Sequence, residues 1–229
     1  MGAIVCFLWR PRDGRETIYG PEHVNGLKRM IMRWAPPEWR RFVCITDDPT
    51  GLDGDIVTVP VDERLLAAGR RYPKLQFYRR DAAQMFGAER LCMLDLDCVV
   101  NGPLDRLLER SEPLLAWADP NWGRTPYNSS FVLMDAGAYP EVYERFDPRT
   151  SDGEVRASRF MGSDQAWLAI VVGRDKPRVN QRDGVLSFIS DCRRPTAHLG
   201  STIVFFAGRP KPWEPEVMAE RDWCREAWA

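Results

Sequence analysis

Apolar residues fall along this chain in short blocks whose spacing switches between two periods. Ala3–Trp9 is an almost unbroken apolar run, the pattern of a strand covered on both faces. A polar stretch, Arg10–Gly20, follows it. Pro21 then opens a segment with apolar positions at Val24, Leu27, Met30, Ile31 and Trp34, a spacing that predicts a helix. Phe42–Ile45 and Ile56–Val59 read as a second and third strand, the former running into Thr46-Asp47-Asp48-Pro49. Lys74–Phe86 carries Leu75, Tyr78, Ala82, Met85 and Phe86 on one side and predicts a second helix. Leu91–Val100 reads as a fourth strand. This alternation argues for an α/β fold with an open, mostly parallel sheet flanked by helices.

The second half is less regular. Leu114–Ala118 and Phe131–Met134 predict strands around a loop from Asp119 to Ser130. Ala136–Phe146 and Asp164–Val172 predict helices, with Asp147–Val155 as a loop between them. Thr202–Phe206 predicts a late strand, and Glu214–Trp228 a polar C-terminal helix. No internal repeat or low-complexity linker interrupts the chain, so a single domain over residues 1–229 is expected.

The fourth strand carries the most informative chemistry. Leu94-Asp95-Leu96-Asp97 places two carboxylates two residues apart at the end of an apolar run. Side chains at i and i+2 of a strand share a face, with Cα atoms roughly 6.6 Å apart. Such a pair can converge on one hard cation or one ligand. In open α/β sheets, ligands bind beyond the carboxyl ends of the strands. Asp-x-Asp is short, and an aspartate after a strand often only starts a turn. The flanking apolar residues on both sides fit a solvated turn poorly.

Bulk properties narrow the remaining classes. The 229 residues carry 32 basic and 33 acidic side chains, for a net charge of −1. They are mixed along the chain, so no basic block argues for nucleic acid and no polybasic amphipathic segment for a membrane surface. No apolar run is long enough for a signal-peptide core or a transmembrane segment. Six scattered cysteines without a Cys-x-x-Cys pair argue against zinc and for a reducing compartment. Two histidines, His23 and His198, exclude a histidine-rich centre.

Four further stretches gain meaning beside Asp95 and Asp97. They are Phe42–Asp48, Tyr127-Asn128-Ser129-Ser130 leading into Phe131–Asp135, Gly162-Ser163-Asp164-Gln165, and Gly208-Arg209-Pro210-Lys211-Pro212-Trp213. Singly each has a plain structural explanation: Asn128 a turn, Asp164 a helix cap, Gly208 and the prolines loop punctuation, Asp47 an Asx-turn. In this order around a strand-end Asp-x-Asp, they resemble the GT-A glycosyltransferases, most closely glycosyltransferase family 8 and its bacterial relatives.

The resemblance spans nearly the whole chain and implies a Rossmann-like GT-A domain. Residues 1–100 would be its nucleotide-binding half and 101–229 its acceptor and sugar half. It implies a hexosyltransferase that uses a UDP-sugar donor and Mn2+ or Mg2+, and that retains anomeric configuration. By the same likeness Asp95 and Asp97 hold the metal, and Asp95, Gly208 and Lys211 the donor diphosphate. Trp9, Thr46 and Asp47 line the uracil and ribose pocket, and Lys74 or Arg79 is a basic residue near the donor. Asn128, Asp164 and Gln165 stand at the sugar and reaction centre. Gln165 is not a carboxylate, which argues against a covalent glycosyl–enzyme intermediate of the glycosidase kind.

The chemistry of that reaction suits these residues. A nucleoside diphosphate leaves readily only when its charge is neutralised, which a hard cation with oxygen ligands achieves. A lysine adds a compact positive charge to the same group. One departure from the family is plain. The metal-binding histidine expected just before Gly208 is missing, because those positions are Phe205, Phe206 and Ala207, and His198 lies too far upstream. Two other readings are therefore kept: a haloacid-dehalogenase-like phosphatase with Asp95 as nucleophile, and a catalytically silent nucleotide-sugar-binding domain. The expected partners are a nucleotide-sugar donor and a carbohydrate or other hydroxyl acceptor, with the loops Asp119–Tyr127 and Asp147–Val155 shaping the acceptor side. The expected location is cytoplasmic or peripheral to a membrane.

Overall fold

The first strand shows how the sheet is covered. In β1 (Gly2–Leu8), Ile4, Cys6 and Leu8 belong to one buried apolar cluster, while Ala3, Val5 and Phe7 belong to a second on the opposite face. Period-two side chains thus enter two cores, which explains why the run is apolar throughout. The computed structural model describes residues 1–12, 17–69, 71–120, 125–162, 164–194 and 196–228.

After β1 come α1 (Pro21–Trp34), β2 (Arg41–Thr46), β3 (Val57–Pro60), α2 (Glu63–Ala68), a 3-10 turn over Tyr72–Tyr78, α3 (Ala82–Phe86), β4 (Arg90–Leu94), β5 (Cys98–Val100) and α4 (Asp105–Leu108). The second half holds β6 (Leu114–Ala118), β7 (Tyr127–Asp135), α5 (Glu141–Glu144), α6 (Ser151–Ala157), α7 (Asp164–Val172), β8 (Arg178–Val179), β9 (Val185–Ser187), α8 (Phe188–Asp191), β10 (Ile203–Phe205), α9 (Pro215–Glu220) and α10 (Asp222–Trp228). Seven strands form one mixed sheet in the order β3-β2-β1-β4-β7-β6-β8. Only β7 runs against the others. A smaller sheet has the order β5-β10-β9. Helices α1 and α10 pack with the first cluster and α7 with the second, so helices flank the large sheet as the sequence pattern implies.

Several expectations are corrected. The run Leu91–Val100 is not one strand. It leaves the large sheet after Leu94, bends through Asp95-Leu96-Asp97, and enters the small sheet at Cys98. Ser130 O accepts the Asp95 amide at 3.0 Å, and Asp97 O accepts the Phe206 amide at 2.8 Å, so the bend is held by one bond to each sheet. The expected helix Lys74–Phe86 is a 3-10 turn and a separate short helix. Gln76, buried, spends its amide on Pro60 O and the Asp62 N–H instead of facing solvent, and Arg79 is extended (φ −62°, ψ 148°).

Ala136–Phe146 shrinks to α5 because Gly137 is left-handed (φ 75°) and Pro140 follows. Within Asp147–Val155, expected as loop, the Asp147 amide and carboxylate hold a turn, and α6 starts at Ser151. The C-terminal helix divides at Arg221, which leaves the helical region (φ −129°, ψ 89°). The loop Asp119–Ser130 is shorter than expected, since β7 already begins at Tyr127; its residues 121–124 lie outside those described, as does Ser163.

Leu27 is fully buried on α1 within the first cluster. Leu27→Ala is expected to cost about 2–5 kcal/mol, the usual range for emptying such a site, as measured by urea unfolding.

Candidate active site

At the bend between the two sheets, three segments bring opposite charges together. The Lys74 ammonium, from the 3-10 turn, lies 2.5 Å from Asp95 Oδ1. The Lys211 ammonium bonds Asp97 Oδ2 and donates to Phe206 O at 3.0 Å. Side-chain exposure is 14% for Lys74, 6% for Lys211, 21% for Asp95 and 11% for Asp97, so water screens these pairs little. Burial alone would lower the Lys74 ammonium, but the charges of Asp95, Asp164 and Asp97 outweigh it and hold it above its ordinary value. Burial and the adjacent Asp95 charge push the Asp97 carboxyl up, against the pull of Lys211 and Lys74.

Strand β7 supplies the next layer. Its register against β6 breaks between Ala116, which faces Val132, and Trp117, which faces Asn128. This bulge reverses the side-chain parity of the strand. Tyr127 shares a cluster with Val132 and Met134, while Phe131 and Leu133 lie on the other face. Asn128 Oδ1 accepts the Ser130 amide at 2.9 Å and fixes the bulge. Two hydroxyls are thereby aimed in different directions. Ser129 Oγ donates to Asp164 Oδ2 at 2.5 Å, and Ser130 Oγ to Asp95 Oδ2 at 2.7 Å. Asp164 is the first residue of α7 and is buried.

Gln165 lies against Gly162. A Cβ there would sit 2.8 Å from Gln165 Cγ, and the backbone is left-handed (φ 103°). A glycine is thus required on two counts. Gly208 is also left-handed (φ 91°) in the segment that turns Lys211 back onto Asp97. Trp213 of that segment packs on His23, with ring centroids 4.0 Å apart, and edge-on to Tyr19 at 5.8 Å.

The structure therefore brings Asp95, Asp97, Lys74, Lys211, Asn128 and Asp164 into one neighbourhood. Of the two basic residues left open by sequence, Lys74 joins it. Arg79 instead makes a two-pronged pair with Asp81 at 2.8 Å and lies 5.3 Å over the Tyr143 ring. Trp9, Thr46 and Asp47 lie at the same sheet edge, at the ends of β1 and β2. There Asp47 accepts the Arg10 amide at 3.2 Å, and Thr46 Oγ1 exchanges bonds with Asp48. Positions 205 and 206 are core: Phe205 stacks on Trp117 at 4.7 Å and Phe206 on Phe188 at 4.2 Å. His198 stacks on Trp223 instead.

Sequence reasoning missed Tyr19, Ser129 and Ser130. Tyr19 donates to Asp97 Oδ2 at 3.1 Å, and burial with the Asp97 charge pushes its hydroxyl up, keeping it a donor. The serines had a visible signal, two adjacent hydroxyls opening an apolar strand; Tyr19, in a polar stretch, had none.

As a cation site, the carboxylates of Asp95 and Asp97 and the hydroxyls of Ser130 and Tyr19 are hard oxygen donors of the kind Mn2+ or Mg2+ takes. Among the described residues no three His, Cys, Asp or Glu side chains cluster as a closed shell. The donor set fits a cation whose coordination is completed by a ligand.

An open sheet of this order, with an acidic bend at the end of its central strand, defines the class: the chain has the GT-A-type glycosyltransferase fold. Among solved structures it is similar to the galactosyltransferase LgtC, solved with donor and acceptor sugar analogs, at TM-score 0.65 and 14% identity, covering 98% of this chain and 95% of that one. It is also similar to the glycosyltransferase GlyE of Streptococcus pneumoniae TIGR4, at TM-score 0.63 and 11% identity, covering 100% of this chain and 62% of that one. A glycosyltransferase involved in glycosylation of the major capsid of PBCV-1 matches at TM-score 0.55 and 15% identity, covering 100% and 99%. No protein-family model matches the chain, and no curated protein matches it in sequence. At these identities the likeness is one of fold. It leaves the phosphatase reading without support.

Removing one partner of a buried ion pair strands the other charge. Lys211→Met is expected to cost about 3–5 kcal/mol, whereas Arg79→Met, whose pair is half-exposed, should cost no more than about 1 kcal/mol. Urea unfolding of the two variants decides this.

Proposed function

We propose that this protein is a glycosyltransferase that moves a hexose from a nucleoside-diphosphate sugar, a UDP-sugar by the family resemblance, to an acceptor hydroxyl. The observation that carries this reading is the charged cluster of Asp95, Asp97, Lys74 and Lys211 at the carboxyl end of the central strand of such a fold. A diphosphate needs positive charge near its leaving oxygen. Two ammoniums already stand there, each resting on a carboxylate until a stronger anion arrives.

In this reading Asp95 and Asp97 would hold a divalent cation beside the diphosphate. When bound, the cation neutralises the diphosphate as it departs. Lys211 and Lys74 turn their N–H groups from the carboxylates to phosphate oxygens. Gly208 permits the tight turn that carries Lys211 inward. Trp9, Thr46 and Asp47 take the base and ribose at the ends of the neighbouring strands. Asn128, Asp164 and Gln165 face the sugar, with Ser129 fixing the Asp164 carboxylate. Retention of the anomeric configuration is what the family resemblance implies, and with an amide and no carboxylate at Gln165 a front-side path guided by the departing phosphate accounts for it better than a covalent intermediate.

A silent donor-binding domain remains the second reading, favoured by the apolar side chains Phe205 and Phe206 where a metal-binding histidine is expected. UDP with manganese is expected to raise the melting temperature, and release of free sugar or transfer to an acceptor then separates the enzyme from the silent domain. Stabilisation without turnover would leave the binding reading alone standing. Asp95→Asn is expected to lower turnover at least about a hundredfold and to remove the manganese dependence of UDP binding, read by calorimetry. Gln165→Ala should reduce the catalytic rate far more than UDP affinity, because its contact is made on the sugar side and in the transition state. Equal losses in both would place Gln165 at the nucleotide.

A further inference from the structure

Among the described residues, the Tyr78 hydroxyl is buried without a hydrogen-bond partner. Ser190 Oγ, Trp223 Nε1 and Trp228 Nε1 share that state, but they lie on α8 and α10. Tyr78 instead closes the 3-10 turn that carries Lys74 to Asp95. Other tyrosine hydroxyls of the chain are answered: Tyr19 by Asp97, Tyr72 by Asp152, Tyr127 by Gly173 O and Tyr143 by Asp62. A buried hydroxyl left unpaired costs free energy that a phenylalanine filling the same space would not. The Tyr78 ring itself is core. It is 1% exposed, packs edge-on to Phe77 at 5.4 Å and belongs to the second apolar cluster. The hydroxyl adds nothing to that packing, so its use lies in what it faces.

Residues three apart share a face of a 3-10 turn, so Tyr72, Leu75 and Tyr78 point together. The Tyr72 ring packs on Phe146 at 4.6 Å, and Phe146 edge-on to Trp167 at 5.6 Å. Trp167 lies one turn after Asp164 on α7. This face of the turn is therefore set against the helix end that holds Asp164. Burial and the Asp164 charge push the Tyr78 hydroxyl up, which keeps it a donor. The same carboxylate is buried, accepts Ser129 Oγ at 2.5 Å, and helps to hold the Lys74 ammonium charged. Ser129 reaches it from β7, and Tyr78 faces it from the turn.

We propose that Tyr78 is a positioning residue for Asp164: in the loaded site its hydroxyl closes on the Asp164 carboxylate and, with Ser129, sets the orientation in which that carboxylate meets the sugar. This rests on the glycosyltransferase reading, in which Asp164 stands at the sugar. Hydrogen bonds at a reaction centre are often long or poorly aligned in the free protein and tighten when substrate arrives. A donor kept unspent beside a carboxylate, at a cost to the free protein, is the arrangement such tightening requires.

The test is Tyr78→Phe in the intact protein, which removes the hydroxyl and keeps the ring. Urea unfolding of the free variant should show no loss of stability, because no bond is broken. A clear loss would mean that the hydroxyl serves the fold, and overturns the proposal. Turnover of UDP-glucose and UDP-galactose, followed as sugar release or transfer, should fall at least about tenfold in kcat, the worth of one hydrogen bond to a charged group. UDP affinity, read by calorimetry, should stay as it was. Because Tyr78 acts through Asp164, adding Tyr78→Phe to Asp164→Asn should lower the rate no further. An unchanged kcat in Tyr78→Phe, or an equal further loss in the Asp164→Asn background, overturns the proposal and leaves the glycosyltransferase reading standing. A wild-type protein that binds no UDP, or binds it and turns over neither donor, overturns that reading for these donors and the proposal with it, so the wild-type arm separates the two failures.

Discussion

A carboxylate taken out of water has to be answered by a positive charge or by several donors, and this fold answers two of them at one point. Asp95 and Asp97 sit where the chain crosses from the large sheet to the small one. Asp95 is answered by Lys74 and Ser130, Asp97 by Lys211 and Tyr19. These partners come from a 3-10 turn, a strand, a loop before α9 and the stretch before α1. The pairing therefore ties together segments separated by up to 114 residues. Desolvation offsets much of the attraction between these opposed charges.

The same arrangement explains why the small sheet exists. A single strand through Asp95 and Asp97 would have kept both carboxylates inside the large sheet. Bending there and starting β5 in a second sheet opens the edge, and β10 returns alongside so that the segment after Phe206 can bring Lys211 back. Phe205 and Phe206 belong to the stacked aromatic base of that turn. Their apolar identity follows from the packing they perform.

Much of this was legible in the sequence because it rests on local pattern. The apolar run Ala3–Trp9, the helical spacing after Pro21 and the helix at Asp164 register short-range physics, and the structure has β1, α1 and α7 there. What was not legible depends on contacts between distant segments. Nothing local tells that Gln76 would be drawn inward by Pro60 and Asp62 and break a helix. Nor does it tell that Lys74 and not Arg79 would reach Asp95, since Arg79 is claimed by Asp81 two residues on. Asp95, Asp97, Asn128, Asp164 and Lys211 could be named because their types and order are unusual together. Ser129 and Ser130 left only the signal of two adjacent hydroxyls opening an apolar strand; which carboxylate each meets depends on the parity change of a bulge, which local pattern does not carry.

That bulge has a consequence for how the chain can vary in length. Ser129 and Ser130 are adjacent, yet each meets a carboxylate on a different element. Inserting or deleting one residue between Asn128 and Phe131 would turn both hydroxyls to the wrong face. The compensation could not come from elsewhere in the strand, since β4 on one side and β6 on the other fix its register. Loops around the sheet can lengthen or shorten with little effect on this edge. The four residues Asn128–Phe131 behave instead as a ruler, and relatives of this protein that keep the site should keep that spacing even where their sequences share little else.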